Sequence, residues 1–272
     1  MWDWFKRRSN DGRESGGRKL KPGEPPKIVI ISDIHGNYEA LQALPEDYDE
    51  LWVLGDLVNY GPQPAEVVDF IRERAHLVLR GNHDHAVAWD CEARCSASFR
   101  QAAEQTQKYT ASILNSEQKS YLGGQSLHTY FKRDSLRIYA CHAVPSDLLY
   151  GYCEKDSPQW QAECNRAAAD CLFVGHTHVP FVCRLGTCTV VNPGSLGQPK
   201  NGCAEACYAV WEDGVIHLRS YAYPVERTVK QIRAMPVDAE VREFLVNVLE
   251  TGVVPKSNPV RTHVQDTGAR RH

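Results

Sequence analysis

Apolar and polar positions along this chain fall into blocks whose period changes. Ile28–Ile31, Leu51–Leu54 and Leu77–Leu79 are short continuous apolar runs, the pattern of strands buried on both faces. Between them, Glu39–Leu44 reads as a short helix, and Ala65–Arg74 puts Val67, Val68 and Ile71 on one helical face. This β-α-β-α-β order predicts a parallel sheet with covering helices. From Cys91 to Tyr121 the spacing of Phe99, Ala102, Ala103, Thr106, Tyr109 and Ile113 is helical, with Ser116–Lys119 as the cap of a following helix; a helical insertion beside the site is expected over about 91–121. Strand-like runs return at Leu136–Ala140, Cys171–Val174, Phe181–Arg184, Cys188–Val191, Cys207–Trp211 and Val215–Leu218, the last two joined by a turn at Glu212–Gly214. Val237–Leu249 predicts a C-terminal amphipathic helix.

The flanks break this pattern. Residues 1–27 are rich in Gly, Ser, Pro and charge after an aromatic and basic start at Trp2–Arg8, and are expected to form a flexible arm. Residues 251–272 are polar and expected to form a loose tail, leaving one domain over 28–250. Composition narrows the class without choosing a chemistry. With 42% hydrophobic and 24% charged residues the chain fits a soluble globular protein. A net charge of −3 gives no general basic field, so stable nucleic-acid binding is not expected. No apolar run approaches the roughly 20 residues of a membrane span, and the start lacks the apolar segment of a secretory signal; a cytoplasmic location is expected. The ten cysteines show no zinc-ribbon spacing, and several stand in apolar runs, as Cys141, Cys171 and Cys183 do, so most are expected to be reduced core thiols.

The candidate chemistry lies just after the apolar runs, where open α/β sheets build their sites. Asp33 and His35 follow the first run, and in an extended segment residues two apart point to one side. Asp56, preceded by Gly55, follows the second; its carboxylate has two oxygens and is able to bridge two cations. Asn82, His83 and Asp84 follow the third, offering a neutral carbonyl oxygen, an acid or base and a partner to orient it. His142 follows Tyr139–Cys141, and His176 and His178 follow Cys171–Val174 with the two-apart spacing repeated. Each fragment alone is common, and a lone Gly-Asp after a strand is usually a turn. Their joint order along the chain is what points to a metal site.

Asp33-x-His35, Gly55-Asp56, Gly81-Asn-His-Asp84, His142 and Gly175-His-x-His178 together resemble the calcineurin-like metallophosphoesterase superfamily, over about Lys27 to Ala222. Asp33–Asn37, Gly55–Pro64 and Val191–Pro199 are similar to its bacterial phosphodiesterase branch. The resemblance implies an α/β fold, a four-layer α-β-β-α sandwich of two mixed sheets flanked by helices. It implies that Asp33, His35 and His178 hold a first metal, that Asp56 bridges, and that Asn82, His142 and His176 complete the ligand set of a second metal. His83 would be the general acid and Asp84 would orient it. Two cations about 3.5–4 Å apart clamp a phosphoryl group and generate a hydroxide near neutral pH that attacks phosphorus in line. Nitrogen and oxygen donors without thiolates suit Mn, Fe, Ni, Co or Zn over a pure Mg site; the donors do not choose among these, and Mn is taken as the first expectation.

The similar phosphoprotein phosphatases carry an aspartate-arginine-glycine segment after Gly-Asp, whose arginine grips phosphate; here the place reads Asn59-Tyr60-Gly61. That departure favours a phosphodiesterase acting on a small-molecule or nucleotide ester over a protein phosphatase. A phosphomonoesterase or dinucleoside polyphosphate hydrolase is the alternative, and a non-catalytic scaffold of the same fold a further one. Gly36-Asn37 reads equally as a phosphate contact or as a strand-to-helix turn. Asn192–Ser195 reads as a turn under the site, and Tyr60, Tyr150 and Tyr152 as packing residues or as stacking partners for a base or aryl group. His76, His85 and His128 fall outside the pattern.

Overall fold

The computed structural model describes residues 25–255. Of the arm expected over 1–27, residues 1–24 lie outside the described residues, as do 256–272 of the tail expected over 251–272, whose first residue, Thr251, instead ends α8. Among those described, ten strands and eight helices run in the order β1 (Ile28–Ile31), α1 (Tyr38–Gln42), β2 (Glu50–Val53), α2 (Pro64–Arg74), β3 (Leu77–Val78), α3 (Asn82–Trp89), α4 (Arg100–Ile113), α5 (Ser116–Gly124), β4 (His128–Arg133), β5 (Leu136–Cys141), α6 (Trp160–Ala167), β6 (Cys171–Phe173), β7 (Phe181–Leu185), β8 (Cys188–Asn192), β9 (Ala206–Glu212), β10 (Val215–Tyr221), α7 (Val225–Ala234) and α8 (Ala239–Thr251).

Two five-stranded mixed sheets result, ordered β10-β9-β1-β2-β3 and β4-β5-β6-β8-β7. β1, β2 and β3 are parallel, with β9 antiparallel to β1. In the second sheet β5, β6 and β8 are parallel, and β4 and β7 are antiparallel edges. The period of two in β1 explains its unbroken apolar run. Ile28 and Ile30 face the other sheet, where they meet Ile138, Phe173 and Val191. Val29 and Ile31 face the helices, against Val67, Val68 and Ile71 of α2. The seam between the sheets centres on Trp52, whose ring meets Phe131, Phe173 and Trp211 edge-on at 5.6–5.9 Å. On the far side of the second sheet, Leu172 and Val190 pack with Trp160 and Cys164 of α6. These are the four expected layers. All ten cysteines are free thiols, six of them buried, and among the described residues no helix is long and apolar enough to cross a membrane.

The helical insertion differs in its limits. Helix begins earlier, at Asn82, while Cys91–Phe99 is not helical and α5 extends to Gly124. The cap of α5 is Asn115, whose side chain accepts from the Gln118 amide while the Gln118 side chain accepts from the Asn115 amide. β4, α6 and α7 also stand where no element was expected.

Candidate metal centre

The parallel strands deliver the candidate residues to one end. Asp33 and His35 follow β1, Asp56 follows β2, and Asn82 and His83 open α3 after β3. In the second sheet His142 follows β5, and His176 and His178 follow β6. The two-apart pairs reach a common point by a different route from the strand pleat. Asp33, His35, Asp56, His176 and His178 all have φ between 47° and 66°, in the left-handed region. Each such non-glycine residue costs on the order of 1–3 kcal/mol and persists where surrounding structure imposes it. Here the loops are imposed on each other: the Asp33 and His35 amides donate to the carbonyls of Gly55 and Asp56. The glycines of the motifs are required by close approach. A Cβ on Gly81 would lie 2.0 Å from Asp56 Oδ1, and one on Gly175 2.0 Å from Ser32 Oγ.

Two groups of ligand atoms form, each within 4.8 Å: Asp33, His35 and His178, and Asp56, His142 and His176. Asp56 Oδ2 lies 3.3 Å from His142 Nε2 and 3.7 Å from His35 Nε2, so one carboxylate oxygen faces both groups. Three imidazoles are oriented alike. The Nδ1–H groups of His35, His142 and His178 donate to the carbonyls of Val58, Leu54 and Gln198 at 3.0, 2.9 and 2.6 Å. His35 and His178 therefore keep an Nε2 lone pair for the site, and His142 does so once its Nε2 proton is lost, the usual support of a metal-binding histidine. His35 Nε2 and His178 Nε2 stand 3.1 Å apart. Asn82 donates its amide to the Ala93 carbonyl, leaving Oδ1 at 3.1 Å from His142 Nε2.

These donors fit a cation pair. Asp33 Oδ1 is buried without a hydrogen-bond partner, and facing lone pairs and buried carboxylates need positive charge between them. Burial works to raise the Asp33 and Asp56 carboxyls, but the histidines beside them, His178 first for Asp33 and His142 first for Asp56, hold both below the usual range. Burial pulls His35 and His178 down, and His176 down to about 3, keeping them neutral as metal binding requires. His142 is the exception: burial opposes its charge, but Asp56 prevails and pushes it up to about 9. Metal entry below pH 9 must displace that proton, so affinity at its group is expected to rise about tenfold per pH unit between pH 7 and 8. Calorimetry of Mn²⁺ binding in buffers of different ionisation heat measures the released proton; zero release would contradict this. Metal at about 100 times its Kd should add roughly 2.7 kcal/mol of stability, or about 5–10 °C in Tm.

His83 and Asp84 do not form the expected pair. Asp84 instead accepts from the backbone amides of Asp56, Leu57 and Gly81 at 2.8, 2.8 and 3.0 Å, tying the β2 loop to the start of α3. Burial and then the Asp56 charge push its carboxyl up to about 7, against those amide bonds. The group on His83 is Asn59, whose Nδ2–H donates to Nδ1 at 3.0 Å. Sequence reasoning took Asn59 only as a departure from an arginine pattern; its contact depends on a left-handed turn (φ 68°), and no local motif encodes it. Lys200 was missed too: its charge acts on Asp33 and Asp56, while burial pulls its ammonium down to about 8.

The remaining residues resolve into support. Asn37 caps α1 and binds Gly197, Tyr223 and Thr228, so it forms the turn. Asn192 donates to the Gly175 carbonyl and Ser195 to that of Asp33, so the turn under the site holds both ligand loops. Tyr60 is buried between His35 and His83, with ring centroids 4.8 and 4.7 Å away. Tyr150 lies under Arg94, and Tyr152 is 60% exposed with its ring 6.0 Å from His176. His76, His85 and His128 belong to neither group.

Comparison with known proteins agrees with this fold. The uncharacterised protein MJ0912 of Methanocaldococcus jannaschii is 28% identical over 228 residues, covering 75% of this chain and 91% of that protein. A metallophosphoesterase crystal structure from Sphaerobacter thermophilus superposes with a TM-score of 0.72 at 28% identity, covering 84% of this chain and 99% of that one. A symmetrical bis(5'-nucleosyl)-tetraphosphatase of Psychromonas ingrahamii is 42% identical over 64 residues, which is 20% of this chain and 23% of that enzyme. The sequence model of the calcineurin-like phosphoesterase superfamily domain matches residues 27–213, and this protein belongs to that superfamily.

Proposed function

We propose that this protein hydrolyses small-molecule or nucleotide phosphodiesters with two divalent metal ions, Mn²⁺ first among the candidates. One observation carries the reading: Asp56 Oδ2 faces His35 and His142, one from each ligand group, so a single carboxylate serves both. Asp33, His35 and His178 would hold one ion, and His142, His176 and Asn82 the other. The ions supply Lewis acidity and activate water near neutral pH.

The chain's own groups then do the rest. Burial pulls His83 down to about 4, so the imidazole is neutral at pH 7. With Asn59 donating to Nδ1, its proton sits on Nε2. From there the imidazole donates a hydrogen bond that stabilises the leaving oxygen as the P–O bond to that oxygen breaks and the bond to the water oxygen forms, the attacking water giving up the proton that the leaving oxygen finally carries. Where the related phosphatases have arginine, Asn59 and Tyr60 place an amide and a phenol ring against His83. Exposed Tyr152 offers a face for an aryl or base group beside His176.

The second reading, a dinucleoside polyphosphate hydrolase, is favoured by the 64-residue match to the symmetrical tetraphosphatase. Metal-loaded protein assayed on a bis-aryl diester, a cyclic nucleotide, an aryl monoester and a dinucleoside tetraphosphate separates the readings. Diester turnover should exceed monoester turnover. Turnover of monoesters alone would sink the diesterase reading, and a dominant rate on the tetraphosphate would replace it with the second.

A further inference from the structure

Lys200 lies in the loop that joins β8 to β9. Two residues earlier in that loop, the Gln198 carbonyl holds His178 Nδ1 at 2.6 Å. The lysine side chain is half-buried, and its Nζ lies 4.2 Å from the Phe99 ring centroid. Phe99 packs 5.4 Å from Tyr60, which in turn packs 4.7 Å from His83. The ammonium is thereby held by an aromatic wall on the His83 side of the metal groups. Its charge acts on Asp33 and Asp56 and on His83 and His178. Among the described residues Lys200 takes part in no ion pair.

Packing alone does not account for an ammonium in this place. A cation–π contact is worth about 0.5–2 kcal/mol, whereas desolvating an ammonium costs several kcal/mol. The nearby carboxylates that offset it, Asp33 and Asp56, are the ones committed to cations in the reading above. With cations bound there, the lysine's remaining complement is an anion entering the cleft between the metals and His83. A phosphoryl group has oxygens to spare for it, and lysine suits that task as a mobile point charge.

We infer that Lys200 is a substrate-binding residue that grips a phosphoryl oxygen beside the metal pair, with Phe99 fixing its side chain. The inference rests on the phosphoesterase reading and names the phosphate contact of that same site.

The test uses full-length, metal-loaded wild type, Lys200→Met and Lys200→Arg, with metal content measured in each. Inorganic phosphate affinity is measured by calorimetry, and kcat and KM on a bis-aryl phosphodiester. Lys200→Met should keep its metals, bind phosphate at least about tenfold more weakly and raise KM by a similar factor, with kcat within about threefold. Lys200→Arg should recover most of both losses. Phosphate affinity and KM within twofold of wild type in Lys200→Met would overturn the assignment, as would losses that track lost metal. Should wild type bind phosphate but hydrolyse no ester, the hydrolase reading fails alone. The phosphate affinities then decide Lys200: a tenfold loss upholds it and an unchanged value refutes it. A wild type that binds no phosphate refutes it as well.

Discussion

Asp56→Asn should lower kcat/KM on any phosphoester by roughly 10³-fold or more, and the purified protein should hold fewer than two metal ions per chain. The substitution is nearly isosteric, so its effect isolates charge. Asp56 Oδ1 accepts from the His83 backbone amide at 2.9 Å, a bond the asparagine oxygen retains. What is lost is the anionic Oδ2 that faces both His35 and His142. An amide nitrogen there would present N–H groups to a cation, and neither group would keep its shared anion. His142 would also lose the largest of the influences that push it up to about 9. The metal-free variant should therefore melt within a few degrees of the metal-free wild type, while the gain in Tm on adding Mn²⁺ shrinks. Two retained metals with more than a tenth of wild-type activity would show that Asp56 does not bridge.

The candidate site was legible in the sequence because each of its residues sits just after an apolar run. A strand buried on both faces must end where polar groups begin, and parallel strands put those ends together. Asp33, His35, Asp56, Asn82, His142, His176 and His178 thus converge as their order along the chain implied. What remained hidden was set by tertiary contact. The left-handed residues that turn Asp33 and His35 toward one point depend on hydrogen bonds to Gly55 and Asp56, more than 20 residues away in sequence. The pairing of His83 with Asn59 depends on a turn that no composition rule specifies, and Asp84, adjacent to His83 in sequence, points at backbone amides. Edge strand β4 was missed because its residues alternate between exposed and half-buried, with none fully buried to signal a core. Helix α3 was masked by its content: its first turn is the Asn82–Asp84 motif itself.

His83→Ala should leave metal content and KM near wild type and lower kcat, by an amount that depends on the leaving group. General acid catalysis contributes about 10²–10⁴-fold, and that help is needed most where the departing oxygen is basic. An alkyl leaving group, as in a cyclic nucleotide, should lose roughly 10³-fold, and a nitrophenolate roughly tenfold or less. Equal losses on both would assign His83 to holding the phosphoryl group and not to stabilising the leaving oxygen. The pH profile adds an independent sign. Burial is the largest influence on His83 and lowers it to about 4; Asp56 opposes, while Lys200 and His178 reinforce the fall. The imidazole is therefore already neutral at pH 5.5, and raising the pH to 7.5 removes no proton from it. Its donor is the Nε2–H left by the Asn59 bond to Nδ1. Wild-type kcat should show no falling limb from His83 across that window. A limb near pH 6.5 that vanishes in His83→Ala would instead make the imidazolium the acid. Asn59→Asp, which puts a carboxylate on Nδ1 and moves the proton there, should create such a limb by raising the imidazole pKa.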